Sequence, residues 1–140
     1  MQNEIVNAAT ADDEFQRFAD HWGLFTDTSE MEEEDRASFS PLKLRLTKAI
    51  RGGNFTVDEV GSTLTYTLMF PEDAGVEVME IRPPKGSAIS GFDKHKDREG
   101  VKKMNSFMAA MTGKNPIVFS KMDYRDLKIF QAVAQLFLGS

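Results

Sequence analysis

MNSFMAAMTGKNPIVFSKMDYRDLKIFQAVAQLFL, residues 104–138, holds the longest apolar periodicity in the chain and the clearest helix boundaries. Val101, Met104, Phe107, Met108 and Met111 recur at helical spacing, so a helix starts near Asp97, a good N-capping residue, and ends near Thr112. Gly113 supplies the left-handed stop. Asn115-Pro116 restarts the chain, with Asn able to cap and Pro favoured at the first helical position. Ile117, Val118 and Phe119 form a single turn that carries them into the core, and Asp123 then caps a final helix. In that helix Leu127, Ile129, Phe130, Ala132, Val133, Ala134, Leu136, Phe137 and Leu138 leave Lys128, Gln131 and Gln135 as one narrow polar stripe. A helix apolar around most of its circumference needs cover on two sides. Helix 97–112 and a sheet cover one arc. The rest is covered either by the chain itself or by a partner.

Upstream of this region the pattern is sheet-like. LKLRLTKAI, from Leu42, alternates Leu42, Leu44 and Leu46 with Lys43, Arg45 and Thr47, which reads as a half-buried strand opening at Pro41. Gly52-Gly53-Asn54 is turn chemistry, and FTVDEV returns with Phe55, Val57 and Val60 inward. TLTYTLMF alternates Leu64, Tyr66, Leu68 and Phe70 against Thr65, Thr67 and Met69. Pro71, Asp73 and Gly75 make the next turn, and VEVMEI returns on Val76 and Val78. Two hairpins of this kind give a four-stranded antiparallel sheet. RPPKG closes it, because Pro83-Pro84 continues neither a central strand nor a helix interior.

Residues 1–40 differ in character. They carry a net charge of −9 against +4 for residues 41–140, within a total of −5. Residues 1–11 show no period, and a short amphipathic helix begins at Asp12 with Phe15, Phe18, Ala19 and Trp22 on one face before Gly23 stops it. The acidic run TDTSEMEEEDRASFS, residues 26–40, reads as a linker, helical at most in MEEEDR, and it lacks the ligand alternation and central Gly of a calcium loop. The reading is therefore an α+β fold in two parts. Residues 1–40 form an acidic N-terminal arm with one short helix. Residues 41–140 form a small antiparallel sheet of two hairpins packed by two or three C-terminal helices.

The chain has 140 residues, no cysteine and no long apolar run, which excludes disulfides, thiolate metal sites and a membrane-spanning helix. The N-terminus has no basic and apolar succession of the signal-peptide kind. His21 and His95 lie outside any metal spacing, Ser87 and Ser90 near His95 have no oriented acid, and no phosphate or nucleotide loop occurs. Asp123 and Asp126 are the one paired-carboxylate candidate, and helix capping accounts for both. We therefore expect no enzyme, no cofactor and no metal. The basic segment 82–103 is the one stretch suited to nucleic acid, but it lacks interleaved aromatics and reads better as a solvated spacer.

Residues 64–138 carry a family resemblance. LTYTLMFPEDAG is a strand ending in a Pro turn, and VEVMEIRPPKG is a return strand leading into an Arg-x-Pro segment. A charged spacer follows, then FMAAMTG as a helix ending in Thr-Gly, then KMDYRDLKIFQAVAQLFL, an Asp-x-x-Asp element opening a final helix that ends in Phe-Leu. This ordered set resembles the small tail assembly chaperones of tailed phages and prophages, nearest to the Mu-like and related contractile-tail type. Residues 1–61 exceed the compact pattern, and Met122 stands where Leu is usual.

The resemblance implies a protein of the host cytoplasm that binds the tape measure protein during virion morphogenesis. It would keep that protein's long apolar helices soluble and be displaced as tail tube protein polymerises. Homo-oligomerisation is compatible with it, and a membrane partner is not. Met104, Met108 and Met111 on the first helix, and Ile129, Val133 and Leu136 on the last, are the residues expected to contact the client or a second copy, although the three methionines share one face of their helix and serve equally as core against the sheet. The alternative is a small nucleic-acid-associated regulator using the basic 82–103 region.

Overall fold

The structure, a computed structural model, describes residues 6–85 and 100–138, with the backbone alone for 100–102. The expected cap at Asp97, the serines near His95 and most of the basic spacer lie outside the described residues. The elements are α1 (Ala8–Trp22), α2 (Glu33–Arg51), β1 (Phe55–Val57), β2 (Leu64–Thr67), α3 (Pro71–Ala74), β3 (Val78–Ile81), α4 (Gly100–Thr112), α5 (Pro116–Lys121) and α6 (Tyr124–Leu138), with a 3₁₀ turn at Thr28–Glu30.

The fold is α+β, with helices packed on one small antiparallel sheet. The sheet is a three-stranded meander in the order β1-β2-β3. Its register aligns Phe55, Tyr66 and Met79 in one row and Val57, Leu64 and Ile81 in the next. All six point into the core, as period-2 geometry requires, while Thr56, Thr67 and Glu80 face out. The inward residues of the last strand are thus Met79 and Ile81, whereas Val78 is exposed and Val76 half-buried. Val60 is exposed in the β1–β2 loop.

The main correction concerns residues 42–47, which are helical. α2 runs from Glu33 to Arg51, so there is one fewer strand than the alternation implied. Its buried residues are Phe39, Leu46 and Ile50, with Leu42 half-buried, a helical stripe. Leu44, which a strand would turn inward, is 54% exposed. Glu33, Glu34 and Asp35 lie in the first turn and Lys48 and Arg51 in the last, matching the helix dipole at both ends. Pro41 sits inside the helix, where it removes one backbone hydrogen bond and crowds the carbonyl four residues back. Packing against α1, α6 and β1 holds the helix through it. Pro41→Ala is therefore expected to raise unfolding stability by about 1–3 kcal/mol, read as a higher urea midpoint, and an unchanged or lower midpoint would contradict a continuous helix here.

The seam expected at 40/41 falls inside α2, and residues upstream of it belong to the core. α1 begins earlier than its apolar pattern suggested, because the Asn7 carboxamide accepts from Thr10 N–H and caps it. Ala11, Phe15, Phe18, Ala19 and Trp22 are buried in a single hydrophobic cluster that extends to Leu136. Phe18 makes edge contacts with Phe15 and Trp22, and Trp22 packs edge-on to Phe137 of α6. A helix of this length is marginal alone in water, and this packing supplies the missing stability.

The C-terminal region follows its local signals except at Ile117, which was expected in the core and is 54% exposed, while Val118 is half-buried and Phe119 buried. Gly113 takes φ +70° after α4, and Asn115 Oδ1 accepts from Ile117 N–H at the start of α5. α6 packs against α2 on one side and α4 on the other.

Candidate functional site

The start of α6 carries the most constrained polar group among the described residues. Asp126 is fully buried. Its Oδ1 accepts from the Tyr66 hydroxyl at 2.7 Å and from Met69 N–H at 2.9 Å, and its Oδ2 accepts from Phe70 N–H at 2.9 Å. An ionised carboxylate is acceptor-only and can take all three. Asp126 thus ties the end of β2 and the turn into α3 to the first turn of α6, across about 60 residues of sequence. It is not the second helix cap that the Asp-x-x-Asp spacing suggested.

Asp123 does cap. Its Oδ1 accepts from Arg125 N–H at 2.8 Å, and its two oxygens take the Arg125 guanidinium at 2.9 Å each. That pairing holds the Asp123 carboxyl below the usual carboxylate range. The guanidinium also lies 3.6 Å from the centroid of the Phe70 ring, so Arg125 closes the outside of the turn that Asp126 holds from within.

Burial, reinforced by the bond to Asp126, pushes the Tyr66 phenol well above its ordinary value of 10.0. A raised folded value makes its stabilising contribution complete below the unfolded value, with loss as pH rises toward the folded one. Unfolding stability should therefore begin to fall above about pH 10. In Tyr66→Phe that component of the alkaline slope should vanish, as read by urea titrations at several pH values. An identical slope in the variant would remove Tyr66 as its source.

Beside this knot lies an open groove of about 510 Å³. One wall is a stripe of α2 formed by Pro41, Leu44, Arg45, Lys48 and Ala49. The other is Arg125, Lys128 and Ile129 of α6, and Asn54, Tyr66 and Met69 complete the lining. Four cations and no carboxylate border it. Arg125 is occupied by Asp123, while among the described residues Arg45, Lys48 and Lys128 have no ion-pair partner. Leu44 and Met69 are exposed.

The residues expected to meet a partner are placed differently from the expectation. Val133 and Met108 are fully buried, and Ile129, Leu136 and Met111 nearly so. Met104 is half-buried against the core. The surplus apolar arc of α6 is covered by α2, a helix where a strand was expected. These six residues therefore form core contacts rather than a free face. Ile129 alone borders the groove, and Leu136 borders a separate recess with Phe25, Met31 and Phe39.

Tyr66, Met69 and the α2 cations were missed. The position of Asp126 was the available signal: it falls on the same helical face as Phe130 and Val133, and a carboxylate on an apolar stripe must find donors.

Among the described residues, no group of three or more His, Asp or Glu is placed to hold a metal ion, and no helix is long and apolar enough to cross a membrane. Arg82 and Lys85 at the start of the basic segment are exposed. No protein-family model, curated protein or solved structure matches this chain.

Proposed function

We propose that the chain is a non-enzymatic tail assembly chaperone of a phage or prophage. In this reading it binds the tape measure protein in the host cytoplasm and keeps it from aggregating until tail tube protein takes its place. The observation that carries the reading is the knot at Asp126. Two of the four stretches that carry the family resemblance, LTYTLMFPEDAG and KMDYRDLKIFQAVAQLFL, meet there through Tyr66, Met69, Phe70 and Asp126. Motifs that are individually weak thereby become one structural unit, which supports treating the resemblance as a whole. The open groove beside that unit also suits a binding protein better than an enzyme, since it presents apolar surface and cations but no acid–base pair.

The test is co-expression with a tape measure protein of a Mu-like or related contractile-tailed phage. The expected result is a soluble complex that co-purifies with this chain. A tape measure protein that aggregates equally with and without this chain overturns the proposal. Steeply salt-dependent binding of duplex DNA in place of capture would transfer the reading to a nucleic-acid-associated regulator.

A further inference from the structure

We propose that the groove between α2 and the start of α6 docks an acidic amphipathic helix. The client's identity rests on the chaperone reading, while the chemistry of the site does not.

Charge is the first argument. The chain carries a net −5, yet Arg45, Lys48, Arg125 and Lys128 converge on this one concavity without a carboxylate among its lining residues. Such a concentration of one sign steers acidic partners and repels basic ones. Arg45, Lys48 and Lys128 lack an ion-pair partner among the described residues, and Lys128 Nζ lies 5.2 Å from the centroid of the Tyr124 ring, so carboxylates on an incoming surface meet Arg45 and Lys48 first.

The second argument is the apolar component. Leu44 is 54% exposed and Met69 is 37% exposed, and both line the groove together with Arg45 and Lys48. Lys and Arg lay their aliphatic stems along apolar surface and keep their charges at the rim, giving an apolar floor with a basic border. A partner helix with an apolar stripe flanked by Asp or Glu satisfies both parts at once, which is the helix-in-groove mode. Methionine at the contact suits a client whose side chains vary along its length.

Nucleic acid fits less well. The one aromatic lining the groove, Tyr66, is buried and hydrogen-bonded to Asp126, and the exposed Tyr124 next to it, under Lys128 Nζ, is a single ring rather than a run of stacking platforms. The exposed apolar side chains would also gain nothing against phosphates.

The probe is a fluorescent amphipathic peptide of about 20 residues, with Leu on one face and Glu on its flanks, long enough to form a helix. Its comparator has Lys in place of every Glu. The acidic peptide is expected to bind the full chain at least about tenfold more tightly than the basic one, a difference of about 1.4 kcal/mol. Arg45→Glu with Lys48→Glu should weaken it by at least tenfold, and Leu44→Ser by several-fold. Lys121→Glu, on the exposed side of α5, should leave it unchanged.

Circular dichroism and Trp22 emission establish that each variant is folded; Leu44 and Lys48 are exposed and Arg45 half-buried, so these changes spare the core. Equal affinity for the two peptides, or unchanged affinity after the charge reversal, overturns the proposal. So does a charge reversal that abolishes binding of a short DNA duplex while the acidic peptide binds no better than the basic one. Tape measure capture separates the two ideas. Peptide docking by a native chain that captures no tape measure protein removes the chaperone reading alone. Capture that survives the charge reversal removes the groove alone.

Discussion

Asp126→Ala is expected to lower the unfolding free energy by about 3–5 kcal/mol, since it strips one shared acceptor from three donors at once. The Tyr66 hydroxyl is buried with no other acceptor shown, and the Met69 and Phe70 amides lie in a part-buried turn. A cost of about 1–3 kcal/mol attaches to each donor left dry, less where water can enter. Asp126→Asn keeps the shape and one oxygen. Its amide nitrogen would face Phe70 N–H or the other two donors, so an intermediate loss of about 2–3 kcal/mol is expected. Tyr66→Phe removes a single donor and should cost about 1–2 kcal/mol. Because these groups share one network, the double variant Tyr66→Phe with Asp126→Ala should cost less than the sum of the singles. Urea unfolding followed by the buried Trp22 measures all four. Strict additivity, or an Asp126→Ala loss below about 1 kcal/mol, would mean that the carboxylate does not hold the turn.

Local signals were readable and remote ones were not. Gly113, Asn115 and Asp123 act within a few residues of their own helix ends, and their effects follow from sequence spacing alone. The alternation in 42–47 was ambiguous because Leu42 and Leu46 lie on one side of a strand and also, four residues apart, on one face of a helix. Leu44 is the residue on which the two templates differ, and its exposure is decided by tertiary packing. Pro41 strengthened the wrong choice, since it reads as a break and here sits within a helix whose acidic start and basic end were both visible.

That single exchange propagated into the site. Once α2 is a helix packed on α6, the spare apolar face of α6 disappears, and the groove proposed above for a partner lies instead along the basic stripe of α2. The Asp-x-x-Asp pair was visible as chemistry, but no spacing rule tells a capping carboxylate from one that reaches a loop far upstream.

Gly61→Ala is expected to cost about 3–5 kcal/mol, from two independent sources. Gly61 has φ +81°, a left-handed conformation that an alanine adopts at a cost of about 1–2 kcal/mol. A Cβ at this position would also lie 2.5 Å from the Arg17 carbonyl oxygen, 2.8 Å from its carbonyl carbon and 2.9 Å from Phe18 Cα. These are backbone atoms of α1, so no side chain can rotate away, and the loop or the helix must move. The loop resists moving. Arg17 Nε donates to Asp58 O at 2.8 Å and its Nη2 donates to Val57 O at 3.0 Å, clamping the β1–β2 connection to α1. Within the loop the Asp58 carboxylate accepts from both Ser62 N–H and Ser62 Oγ–H, and the hydroxyl bond holds that carboxyl below its usual range.

Gly75→Ala provides the control: its φ is +77°, but its Cβ would meet nothing within 4 Å, so only the conformational cost of about 1–2 kcal/mol remains. The difference between the two variants in urea unfolding isolates the approach of loop to helix. Arg17→Met should recover part of the Gly61→Ala loss by releasing the loop, so the pair should be less than additive. Equal losses at Gly61 and Gly75 would show that α1 and the β1–β2 loop are not in close backbone contact, and the docking of α1 onto this side of the sheet would then rest on the Arg17 hydrogen bonds and on side-chain packing such as Phe18 against Phe55.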